Sequence, residues 1–400
     1  MKQRKFYGNR LRDARLFRGY TLTELADKTE ISKQSLSLYE NDKNIPSHEN
    51  IINIAAYLDF PIEYFWCNDY YEVKAETTYF RSQASTNKKD RIAQKIKLEH
   101  VIKIYRILLD YVKFIDINLP EVNFKGSNNP MNYDSVEVFT EIELIASKVR
   151  EYWELNQEPI INLQYLLEKN GVIVTGFTLN ESKIDAFSQR IQLSDGYNVY
   201  IIALGLGSKP KERLNFDMAH ELGHILLHPW EDDLETLSRL EFKGLEKQAN
   251  MFASAFLLPK DTFTNDISKY PTDLRYYQYL KNKWNVSIQA MIYRTQQLNI
   301  ITPNQYSYLM RQISKKGWRK KEPGDLPGKL NENVFQEAID VLFENRYFNA
   351  NSFIQKLKDY GIILYPHDIE DLLQLRKGIL DILEQEEKKT ARIIELKDIF

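Results

Sequence analysis

From Asn9 to Trp66 apolar residues recur at helical spacing in short runs: Leu11 and Ala14, then Leu22, Leu25 and Ala26, then Leu36 and Leu38, then Ile51, Ile54, Ala55 and Leu58. Polar breaks at Gly19-Tyr20-Thr21, Glu30-Ile31-Ser32 and Asn44-Ile45-Pro46-Ser47 separate them. The pattern predicts a cluster of five short helices. A polar stretch over 82–91 follows, then a long helix over about 91–115, a loop with prolines over 118–134 and a helix over 135–153. Gly171-Val172-Ile173-Val174 and Asn198-Val199-Tyr200-Ile201-Ile202-Ala203 read as strands, with a third candidate at Asp185-Ala186-Phe187-Ser188. Helices are predicted beyond them over about 213–228, 245–258, 273–284, 288–298 and 302–314. The fold class is therefore mainly α with a small β-sheet (α+β). The units expected are 1–67, a linker and long helix over 68–134, a second globular unit over 135–316, a linker over 317–332 and a small helical unit over 333–400. In the last, Phe353, Leu357, Tyr360, Ile369 and Leu372 supply a core.

Within the first unit, Thr21 stands as N-cap with Glu24 at the capping-box position, and Ser32 caps the helix that follows. Ala26 is small enough to let these two helices cross closely, as a helix-turn-helix requires. The second helix would carry Lys33, Gln34, Ser35 and Ser37 to base edges and phosphates in a major groove. Thr21 and Arg10 join them as candidate DNA contacts. Lys2, Arg4, Lys5, Arg10, Arg12, Arg15 and Arg18, opposed only by Asp13, form a basic start suited to neutralising phosphate. Residues 8–66 resemble the Xre-type (Cro-like) repressor helix-turn-helix. The resemblance implies a double-stranded DNA operator and a homodimer on paired half-sites.

The sharpest chemical signal is His220-Glu221-Leu222-Gly223-His224 in an apolar helical stretch, in a chain with six histidines. Positions i and i+4 stack on one helix face, so both imidazoles can reach one cation. Glu221 is placed to take the proton of an attacking water. Zinc needs a third protein ligand and an open fourth position. Glu246 is the favoured ligand, with Asn250 one turn on as an outer support of an imidazole. The rival is His228, whose Cα would lie about 12 Å from that of His220; Glu241 is a weaker one. His228 reads more simply as an outer or helix-end histidine. Histidine with carboxylate suits zinc (Zn2+) best, with manganese or iron as alternatives.

The run Arg213-Leu214-Asn215-Phe216-Asp217-Met218-Ala219-His220-Glu221-Leu222-Gly223-His224, with Glu246-Lys247-Gln248-Ala249-Asn250 and Leu257-Leu258-Pro259, resembles the ImmA/IrrE metallopeptidase family over roughly residues 70–325. Members often carry glutamate at the position of Gln248, so this chain departs there. The resemblance implies a zinc endopeptidase that cuts a repressor protein in a phage, mobile-element or stress circuit.

Composition narrows the setting. Cys67 is the only cysteine, which excludes an internal disulfide and a cysteine-based zinc knuckle and fits a reducing cytoplasm. Met1 to Tyr7 is basic and polar, unlike a signal peptide, and no apolar run approaches a membrane span. The net charge of −2 is unevenly spread: Arg311, Lys315, Lys316, Arg319, Lys320 and Lys321 make a second basic cluster. Two functions are expected from these readings. One is a DNA-binding regulator whose zinc site cleaves a repressor, a partner or the chain itself. The other is a repressor or antitoxin-like regulator whose peptidase fold acts as a sensor or interaction module without turnover.

Overall fold

In the computed structural model, residues 5–67, 78–80, 88–126, 133, 135–178, 186–192, 198–207, 209–228 and 237–381 are described. The fold is mainly α with one small mixed sheet, as the pattern predicts.

The first unit consists of α1 (Gly8–Phe17), α2 (Leu22–Thr29), α3 (Lys33–Glu40), α4 (His48–Leu58) and a 3-10 turn at Ile62–Trp66. Its helices start where short polar side chains satisfy free N–H groups. Thr21 Oγ1 accepts from the Glu24 N–H at 3.1 Å, and the Glu24 carboxylate accepts from the Thr21 N–H at 2.6 Å. The Ser32 and Ser47 hydroxyls cap α3 and α4 by accepting from the N–H groups of Ser35 and Asn50 at 3.0 and 3.2 Å. A Cβ on Gly8 would lie 2.1 Å from the Tyr39 carbonyl oxygen, so only glycine lets α1 sit this close to α3.

α5 (Lys88–Leu108) packs on α1. It stops short of the predicted 115 because the chain turns at Leu109–Tyr111 and then runs on without regular secondary structure. There Phe114 packs on one core and Ile117 on another.

The sheet has the order β1-β3-β4-β2, from β1 (Thr78–Phe80), β2 (Val172–Thr178), β3 (Phe187–Gln192) and β4 (Asn198–Leu206). β2 runs parallel to β4, and β3 is antiparallel to both β4 and β1. β1 lies in the segment expected as linker, so the sheet reaches back into it. Side chains alternate across the sheet and divide the molecule into two cores. Ile173, Phe177, Phe187, Ile201 and Ala203 face a core shared with the first unit and α5. Val172, Val174, Ile202 and Leu204 face the other, built from α6 (Val136–Tyr152), α7 (Leu163–Lys169), α8 (Lys211–Leu227), α9 (Arg239–Leu257), α10 (Lys260–Ile267), α11 (Leu274–Trp284), α12 (Ile288–Gln297) and α13 (Pro303–Lys315).

Two of the expected boundaries differ in the structure. The stretch 317–332 is packed rather than loose: Glu322, 2% exposed, accepts from the Ile288 N–H at 2.8 Å and pairs with buried Lys281 at 3.2 Å. Asp325 pairs with the same lysine, and Pro327 bridges Pro210. Its prolines and glycines mark turns, while its carboxylates tie it down. Nor is the helical tail a separate unit. α14 (Val334–Glu344), α15 (Ala350–Asp359) and α16 (Pro366–Leu373) bury Phe335, Ile339, Leu357 and Leu372 in the core of the first unit. Arg18 of that unit clasps Asp368 through two bonds of 2.6 and 2.7 Å. Thr175 and Gly176 of β2 bond to Leu372 and Gln374 at 2.9 Å each. The expected tail residues 382–400 lie outside the described residues.

Candidate metal centre and DNA-reading helix

α8 is buried on nearly every side, which explains its apolar composition. It crosses α9 at Gly223, where an added Cβ would sit 3.2 Å from the Ala249 backbone. That close crossing brings Glu246 over the two histidines. His220 Nε2 and His224 Nε2 lie 3.0 Å apart, and the Glu246 carboxylate oxygens lie 3.5 Å from the first and 3.3 Å from the second. His220 and His224 are buried, and Glu246 Oε1 is buried with no hydrogen-bond partner.

Outer contacts fix what these rings present. Asn250 donates its amide to the Glu246 carbonyl at 2.7 Å, which leaves Oδ1 to accept from His220 Nδ1 at 3.2 Å. Gln248 donates to the Gly126 carbonyl at 3.4 Å and accepts from His228 Nε2 at 3.1 Å. His228 Nδ1 is then the acceptor for His224 Nδ1 at 2.8 Å. Burial holds His228 well below the usual histidine range, so it is neutral, as this relay requires. Both Nε2 atoms therefore turn lone pairs toward the same carboxylate. Three lone-pair donors facing one point in a buried site repel unless a cation lies among them. Their buried convergence, with an orphaned carboxylate oxygen, fits a zinc ion.

Glu221 is fully buried, and its Oε2 accepts from Ser188 Oγ on β3 at 2.7 Å. His228 stands outside the donor set, against His224. Glu241 is elsewhere: it completes the capping box with Ser238 at the start of α9.

At the other end of the molecule α3 presents Lys33 and Gln34 as exposed side chains, with Ser35 and Ser37 half-buried. The Ser35 hydroxyl lies 2.9 Å from that of Ser32, and the Thr21 hydroxyl caps α2. Arg10, expected as a DNA contact, is enclosed instead. It is 1% exposed, donates to the carbonyls of Cys67 and Gly361 at 3.2 and 3.0 Å, and stacks over the Tyr64 ring. A guanidinium so enclosed does not reach a phosphate. Arg15 is likewise buried against Glu40 at 2.6 Å, and Arg18 is committed to Asp368. Of the basic start, Lys5 and Arg12 are exposed among the described residues; Lys2 and Arg4 lie outside them.

Two family models match the chain. Residues 167–296 match the IrrE N-terminal-like domain, and residues 11–65 match a helix-turn-helix. The chain fuses a helix-turn-helix domain to an IrrE N-terminal-like domain. No curated protein matches it. The IrrE-like segment runs from within α7 into α12 and holds the two histidines, Glu221 and Glu246. It is a metallopeptidase-like domain, and the combination with a DNA-binding domain is that of a regulator. α5, β1 and the C-terminal helices α14–α16 fall outside both matched segments.

Sequence reasoning missed Ser188, because only the sheet brings β3 under α8. It noted Gln248 as a departure without its part in orienting His228, since that contact joins two helices. Asp59, His367 and Asp368 also cluster within reach of one ion, but Arg18 already supplies their cation. No helix among the described residues is long and apolar enough to cross a membrane.

Proposed function

We propose that the protein is a DNA-binding regulator whose IrrE-like domain is a zinc endopeptidase acting on a protein partner, a repressor by the family resemblance. The observation that carries this is the buried convergence of His220, His224 and Glu246 beside Glu221. His220 Nε2, His224 Nε2 and the Glu246 carboxylate would hold the ion, which supplies a Lewis acid at a water-poor site. Glu221, steadied by Ser188, takes the proton of the water that adds to the scissile carbonyl. It then returns a proton to the departing amine as the C–N bond breaks. His228 and Gln248 keep His224 in one tautomer, and Asn250 does the same for His220.

The test is cleavage of co-expressed candidate repressors by the wild type and by Glu221→Gln, with zinc measured in both. The proposal expects zinc retained and cleavage abolished in the variant. Undiminished cleavage by Glu221→Gln would remove Glu221 from the reaction.

On the DNA side, Lys33, Gln34, Ser35 and Ser37 are proposed to face the operator, and a homodimer on two half-sites is proposed with them. Exposed Ile45, Ile52 and Tyr57 on the same domain supply apolar surface for such a pairing. Lys33→Ala with Gln34→Ala is expected to weaken operator binding by about 1–3 kcal/mol for each lost base contact, read by footprinting. Thr21 is proposed to act through its cap, by holding α2 on the DNA backbone.

A further inference from the structure

A cleft of about 560 Å³ opens between α8, α9, α12 and α13, behind His220, and its size is that of an ordinary ligand pocket. Asn250 joins the two: it lines the cleft, and its Oδ1 sits 3.2 Å from His220. Lys247, the residue after Glu246, lines it too. Phe216 and Met310 provide apolar surface. The charged lining is one-sided. Among the described residues, Lys209, Arg213, Lys247 and Arg319 stand against a single carboxylate, Asp217, which pairs with Lys209 at 2.8 Å. Arg319 is part of the basic run that the sequence singled out and the hydrolytic reading leaves unused, and like the other members of that run it is exposed.

We infer that this cleft binds an acidic segment of the protein substrate, carrying an apolar residue next to its carboxylates, and so selects which chain is presented to the metal centre. The inference rests on the peptidase reading for the identity of its occupant. Beyond the Lys209–Asp217 pair, Arg213, Lys247 and Arg319 leave the described lining net positive, which raises both the capture rate and the discrimination against neutral segments. The apolar surface adds a requirement that a bare polyanion does not meet. Asn250 meets His220 at Nδ1, so a segment held in the cleft lies behind that imidazole and acts by recruiting the chain that carries it.

The test uses the full chain carrying Glu221→Gln, so that bound peptide is not consumed. Fluorescence anisotropy compares a labelled Glu-rich peptide containing one Phe with its Gln-for-Glu counterpart, and a labelled single-stranded oligonucleotide is run beside them. The acidic peptide is expected to bind at least about ten-fold tighter than the Gln form, with a preference that falls as salt rises. Lys247→Glu with Arg319→Glu should abolish the preference, whereas Lys315→Glu, outside the cleft, should leave it. Equal binding of the two peptides overturns the inference, as does an equal loss in Lys315→Glu. Oligonucleotide binding lost in the cleft variant would reassign the cleft to nucleic acid. Failure of the wild type to cut any protein, with the peptide preference intact, would instead count against the hydrolytic reading alone.

Discussion

At the scale of single residues, the metal centre depends on side chains that touch no substrate. Gln248 illustrates this. Its amide orientation is set by the Gly126 carbonyl, and through His228 it decides which nitrogen of His224 faces Glu246. Gln248→Leu is expected to lower zinc affinity about ten- to a hundred-fold, the usual effect of removing an outer partner of a metal histidine. Gln248→Glu, which still accepts from His228 Nε2, should bind zinc close to wild type. Competition with a chromogenic chelator measures both. Glu168 offers a separate check on the interior. Burial, with Glu337 adding to it, pushes this carboxyl up to about 8. Its folded value lies above its unfolded one, so its contribution is fully present below about 4.5 and is lost as pH rises through about 8. Glu168→Gln should therefore melt above the wild type at pH 9, and the two should converge near pH 5, as thermal denaturation will show. The residue pattern made His220, Glu221 and His224 readable because i, i+4 spacing on one helix is a local property. Ser188 and the role of Gln248 were not readable, since each depends on contacts between distant elements. The basic start misled: charge counts do not reveal that Arg10 and Arg15 are buried against carbonyls and a carboxylate.

At the scale of elements, caps and close crossings do most of the positioning. The capping box at Thr21 and the serine caps of α3 and α4 were legible from sequence because they are set within one helical turn. The early end of α5 and the existence of β1 were not. The first is decided by two cores competing for Phe114 and Ile117, the second by a backbone edge on β3 that β1 completes. The α8–α9 crossing at Gly223 makes a sharp prediction. Gly223→Val would force the helices apart, costing about 1–3 kcal/mol, and would draw Glu246 away from the imidazoles. Zinc content should fall while the helix-turn-helix half keeps its operator binding, as metal analysis and footprinting of one preparation will show.

At the scale of the whole molecule, the sheet is a shared wall. One face belongs to the core of the DNA-binding half and the other to the IrrE-like half, and α14–α16 close the first core. The sequence suggested a detached tail because amphipathic helices look alike whether they pack on each other or on a distant domain. Arg18 and Asp368 form one of the ties. Arg18→Ala leaves a carboxylate that is 5% exposed without its cation, which should cost about 3 kcal/mol. The loss should appear in urea denaturation of the full chain, and Asp368→Asn in the same background should recover part of it.

The most direct measurement is zinc stoichiometry of the purified wild type beside His224→Ala and Glu246→Ala, by elemental mass spectrometry. One ion per wild-type chain and near-complete loss in both variants is the predicted result. A wild type free of zinc when refolded with it, or a Glu246→Ala variant that retains the ion in full, would contradict the convergence of these three side chains on one metal.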